Sequence, residues 1–145
     1  MAVIQFTAAD ALQTTTVTPG IYPSEISKIE GPKASKSGKS NHYFVDIRIT
    51  DGQYKGKEIT VSFNTETNSP SLLGDMKFFP VSYLLQVDAA INGKAVEAKD
   101  YQMDTDTLVN QPFDTQWSVA TVEGRLVNDV VAFFKAGYGA TAPSF

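Results

Sequence analysis

From residue 42 to residue 50 the chain reads HYFVDIRIT, and apolar and polar positions alternate: Tyr43, Val45, Ile47 and Ile49 fall on one side, His42, Phe44, Asp46, Arg48 and Thr50 on the other. A period of two is that of a strand with one buried face. DGQYKG, residues 51–56, follows as a turn built on Asp-Gly and a second glycine. KEITVSF then sets Ile59, Val61 and Phe63 against Glu58, Thr60 and Ser62, so the two runs predict a hairpin. Upstream, GIYPSEISKIE is rich in β-branched and aromatic residues and stops at the turn dipeptide Gly31-Pro32. It reads as a first strand in which Pro23 demands an edge or a bulge.

The period then lengthens. After the polar NTETNSPS, Leu72, Leu73, Met76 and Phe79 share one helical face, and Pro80 suits the first turn of a second helix carrying Tyr83, Leu84, Val87, Ala90 and Ile91, with Asn92-Gly93 as its stop. FDTQWSVATV and RLVNDVVAFF, joined at Glu123-Gly124, read as two last strands, with Phe113, Trp117 and Val119 on one side and Trp117 in the core. Three strands, a helical segment and two strands is the order of the OB-fold, a five-stranded, partly open barrel whose second and third strands commonly face an oligonucleotide or oligosaccharide. The expected organisation is a lead-in over 1–19, a barrel over 20–135 and a flexible tail over 136–145.

Composition bounds the reading. A chain of 145 residues with 42% hydrophobic and 19% charged positions suits one globular domain. It has no cysteine, which removes disulfides and thiolate metal sites and suits a reducing compartment such as the cytoplasm. No basic leader precedes an apolar run and no stretch is long enough to span a bilayer, so neither export nor membrane insertion is expected.

The net charge of −4 conceals a local excess of the opposite sign. Lys28, Lys33, Lys36, Lys39, Arg48, Lys55 and Lys57 crowd into residues 28–57, alongside only Glu30, Asp46, Asp51 and the adjacent Glu58. Such a basic sector steers polyanions whatever the far side carries. GPKASKSGKS, residues 31–40, ends in Gly-Lys-Ser like a phosphate-binding loop. That loop, however, needs four residues between its glycines and a helix after it. Here six separate Gly31 from Gly38, and a strand follows. Lys33, Lys36 and Lys39 therefore read as a connector able to meet separate phosphates of a polynucleotide strand.

Catalytic patterns are not supported. His42 is the single histidine and has no cysteine beside which to bind zinc, and no Gly-x-Ser-x-Gly elbow is present. Asp100, Asp104 and Asp106 lack the glycine and distal glutamate of a calcium loop and read as solvated acids. No cofactor or metal is expected, and the chain is not read as an enzyme. Phe44 is the informative residue, because it stands on the polar side of its strand with Arg48 four positions along, which suits a stacked base and its phosphate; the other reading of it is a ring packed under the tail or the helix. Tyr54, beside Lys55, is a second candidate platform.

PGIYPSEISKIEGPKASKSGKSNHYFVDIRITDGQYKGKEI, with the later DTDTLVNQPFDTQWSVATVEGRLVNDVVAFF, resembles the OB-fold single-stranded DNA-binding proteins of bacteriophages. The shared features are Gly20-x-Tyr22, Ser35-Lys36-Ser37-Gly38, Asp51-Gly52 with Tyr54-Lys55-Gly56, the Leu108–Asp114 lead, Glu123-Gly124 and Asn128. The resemblance implies a protein that coats single-stranded DNA during phage replication or recombination, in the cytoplasm of an infected bacterium, with replication or recombination proteins as partners. The expected nucleic-acid-binding set is Lys33, Lys36, Lys39, His42, Phe44, Arg48, Tyr54, Lys55 and Lys57. Many such proteins end in an acidic tail, whereas GYGATAPSF carries no acid. The alternative expectation is a structural or interaction protein that binds another protein through the same barrel.

Overall fold

The structure, a computed structural model, describes residues 3, 5, 7–34, 38, 41–74, 76–93 and 105–141. Its body is one mixed sheet of seven strands: β1 (Gly20–Ala34), β2 (Asn41–Ile49), β3 (Glu58–Asn64), β4 (Ser71–Leu73), β5 (Met76–Pro80), β6 (Phe113–Val122) and β7 (Arg125–Lys135), in the order β4-β5-β3-β2-β1-β6-β7. The hairpins β2–β3 and β6–β7 form where alternation predicted them. The second turns at Glu123-Gly124, whose φ values of 51° and 79° are those of a two-residue type I′ turn.

β1 is the long strand that curls the sheet. Gly20–Ser24 pair with β6, while Ser24–Ala34 pair with β2, and the register slips between Ile26 and Lys28 and again between Glu30 and Lys33. Each slip is an irregularity that bends a strand and raises its twist. The second carries β1 beyond Gly31-Pro32, where the sequence predicts its end. Gly31 sits at φ 135°, where a Cβ would lie 2.6 Å from the His42 carbonyl oxygen, so glycine is what lets the two backbones approach.

The helical reading of Leu72, Leu73, Met76 and Phe79 is wrong: these residues form β4 and β5, so the barrel has seven strands rather than five. Gly74, at φ 65°, turns the chain between them. β5 then pairs in parallel with β3, from Val61–Lys77 to Asn64–Pro80, and antiparallel with β4. The spacing of three to four that mimics a helix arises from strand, turn and strand. Pro80 ends β5 just before a 3₁₀ turn (Val81–Tyr83), and α2 (Leu84–Asn92) stops at Gly93 as its sequence predicts.

The extra hairpin stands where the sheet nearly closes on itself. Phe79 of β5 lies 5.2 Å from the Phe63 ring of β3 and 5.5 Å from Phe133 of β7. Lys77 Nζ meets Asp129 Oδ1 across the same seam at 2.9 Å, an ion pair more than an aligned hydrogen bond. Val45, Ile47, Val61, Phe113 and Trp117 complete the core, as expected of Trp117.

Within residues 1–19, Ala8–Thr14 form α1 behind a capping box between Thr7 and Asp10, and Val17 is fully buried. Within 136–145, Tyr138–Thr141 form the short α3, whose Gly139 amide donates to Asp114 at 2.6 Å. Among the described residues no helix is long and apolar enough to cross a membrane.

Candidate nucleic-acid interface

β2 turns Val45, Ile47 and Ile49 into the core and leaves His42, Phe44, Asp46 and Arg48 on the outer face. Residues directly opposite in a sheet share a face. A row of Glu30, Phe44, Ser62, Phe78 and Ser71 therefore runs across β1, β2, β3, β5 and β4, with Lys33, His42, Asn64 and Pro80 in the row beside it.

The aromatic centre of this face is well formed. The His42 and Phe44 rings stack at 6.0 Å with an interplanar angle of 11°, and Lys33 Nζ stands 5.7 Å from the centre of the Phe44 ring. His42 Nδ1 lies 3.4 Å from the Ser62 hydroxyl. Ser62 is fully buried beneath its larger neighbours. Phe44 and Phe78 thus rise on either side of a small residue, two strand spacings or about 10 Å apart. Beyond them a shallow groove of about 330 Å³ runs along His42, Asn64, Glu66, Leu72, Leu73 and Phe78. Asn64 shapes its rim by accepting from the amides of Glu66 (3.1 Å) and Thr67 (2.7 Å).

The charges of this face are more balanced than the sequence predicts. Lys28 and Lys33 both pair with Glu30, the second at 2.9 Å. These hydrogen bonds, that of Lys28 foremost, pull the Glu30 carboxyl down to about 2. Arg48 is held by Glu25 and, at 3.5 Å, by Glu58. Glu25 keeps the guanidinium charged and engaged, so Arg48 faces two carboxylates before it faces any phosphate. Glu58 was open to reading, since the hairpin register puts it opposite Arg48, whereas Glu25 faces Arg48 from β1 past two register slips that leave no trace in the sequence pattern.

Two members of the expected set sit elsewhere. Tyr54 is in the core, 7% exposed, with its ring edge-on to Tyr22 at 5.8 Å and its hydroxyl accepting from the Thr18 amide at 3.3 Å. It offers no open ring face. Lys57 is 4% exposed, and burial pushes its ammonium below the usual lysine range, which places it away from a phosphate path. Lys55 is exposed in the hairpin turn. Lys36 and Lys39 lie outside the described residues, as do Asp100 and Asp104, and among the described residues no acidic or histidine cluster is arranged to hold a metal. The sequence reading missed Phe78, although Met76, Phe78 and Pro80 alternate with Lys77 and Phe79 as a strand's residues do.

No family model matches the sequence, and no curated protein matches it either.

Proposed function

We propose that this chain is a single-stranded DNA-binding protein of OB-like architecture, largely indifferent to sequence, that covers DNA exposed during phage replication or recombination in an infected bacterial cell. The OB-like reading is supported by the long, bent β1 shared between β2 and β6, with β4 and β5 as an added hairpin at the closing seam. One observation carries the functional reading: Phe44, stacked on His42 and flanked by Lys33, stands with Phe78 on an open sheet face. Every base has a π-face, so such rings hold bases whatever the sequence, at about 1–3 kcal/mol per stacked base. Lys33 and the exposed loop lysine Lys55 supply charge for the backbone, joined by Lys36 and Lys39 of the β1–β2 connector.

A fluorescence anisotropy titration with an oligo-dT strand, the matching RNA and a duplex, at low and physiological salt, tests this. Tight, salt-weakened binding of the DNA strand in preference to duplex is the expected result. Indifference to all three at low salt would overturn the reading and leave a barrel that binds protein.

A further inference from the structure

β5 covers β3 only from Val61 onward, so Ile59 and Thr60 have a strand neighbour on one side alone, namely β2. The hydrogen-bond alternation can be followed from Lys57, whose carbonyl accepts from the Ile49 amide at 2.9 Å. Ile59 then bonds toward β2, and Thr60 turns its amide and carbonyl the other way. β7 is the last strand of the sheet. Counting from its two-residue turn, Arg125 and Val127 bond toward β6, while Leu126 and Asn128 turn their backbone groups outward.

These two open edges face each other across a slot of about 400 Å³. Its lining is mixed: Ile59, Met76 and Val127 bring apolar side chains among the polar Glu58, Thr60 and Arg125. Thr16 is also part of the lining, next to Val17, whose amide donates to Asn128 Oδ1 at 2.8 Å, and the Lys77–Asp129 pair follows directly after Met76 and Asn128 along their strands. Leu126, on the rim, is 61% exposed. A slot with backbone donors and acceptors on both walls and a few apolar side chains among polar ones suits an extended strand of three or four residues, which would pair on both sides at once.

We infer that this slot receives residues 2–6, AVIQF, from a second copy of the chain, and that reciprocal exchange makes a twofold dimer. The segment is uncharged and rich in β-formers. In a strand paired there, alternation would turn Ile4 and Phe6 to one face, toward Ile59, Met76 and Val127, and Val3 and Gln5 to the other. Val3 is 77% exposed in the single chain. The segment leads through Thr7 into α1, whose Leu12 lies 3.6 Å from where a Gly56 Cβ would stand, next to Lys57 at the slot wall. α1 sets its start about 10 Å from Thr15, so the chain's own arm would spend about three residues returning. A neighbour's arm meets no such shortfall, and the exchange covers both open edges in a closed, isologous pair.

Because the protein has no cysteine, Val3→Cys combined with Leu126→Cys is a clean probe. Mild oxidation should give a disulfide-linked dimer, with each single variant giving little. Light scattering should find the parent chain at twice its mass and a variant lacking residues 1–6 at the monomer mass with an unchanged circular dichroism spectrum. A link closed within one chain, a monomeric parent, or a dimer that survives the deletion would each overturn the inference.

Discussion

Phe44 is kept in place by groups that also define what it can do: an imidazole against one side, an ammonium over the ring, and buried Ser62 beside it. Phe44→Ala should weaken binding of a single strand by about 1–3 kcal/mol while the thermal midpoint stays put. Anisotropy and calorimetry on one preparation decide this, and a lowered midpoint with unaltered affinity would assign the ring to the fold. Glu30 gives a test of opposite sign. Its carboxyl is lowered to about 2 by Lys28 and Lys33, so the pairing is complete above the ordinary carboxylate value and is lost as pH falls from there toward 2. At neutral pH Glu30 therefore competes with phosphate for Lys33. Glu30→Gln should tighten binding and add about one phosphate contact to the salt dependence; a titration series showing weaker binding would contradict this. Phe44 was legible as a polar-side aromatic in an alternating strand. Tyr54 was not, because a tyrosine among turn residues gives no local sign of the Thr18 amide, 36 positions away, that holds its hydroxyl.

At the level of elements, β2, β3, β6 and β7 were readable because each buries one face and so must alternate. β4 and β5 were not, since apolar residues spaced three and four apart across a tight turn imitate a helix, and parallel pairing with β3 leaves no local trace. The hairpin's adjacent phenylalanines divide its work. Phe79, stacked on Phe63 and packed against the tilted rings of Tyr83 and Phe133, closes the core, so Phe79→Ala should cost about 3–5 kcal/mol in denaturant unfolding, and a loss below about 1 kcal/mol would show that the seam does not depend on it. Phe78, on the outer row opposite Ser62, is half-buried. Phe78→Ala should spare stability and weaken oligonucleotide binding, as measured by the same two methods.

Across the whole molecule, the basic sector seen in the sequence resolves into two parts. On the sheet, Lys28, Lys33 and Arg48 already meet Glu25, Glu30 and Glu58; the excess charge of the sequence belongs to Lys55 of the hairpin turn and to Lys36 and Lys39, which lie outside the described residues. With about three lysines reaching phosphates while Glu30 holds Lys33, the logarithm of affinity should fall with the logarithm of salt at a slope near −2, and a slope near zero would remove the electrostatic part of the account. The central claim is one of place, that a single strand crosses the outer face of β2 beside the Phe78 hairpin. Photo-crosslinking with oligo-dT carrying 5-iodouracil, read by mass spectrometry of the tryptic peptides, tests it most directly. The account predicts adducts on the peptides holding His42, Phe44 and Phe78; adducts confined to other surfaces, such as the exposed Tyr138, would contradict it.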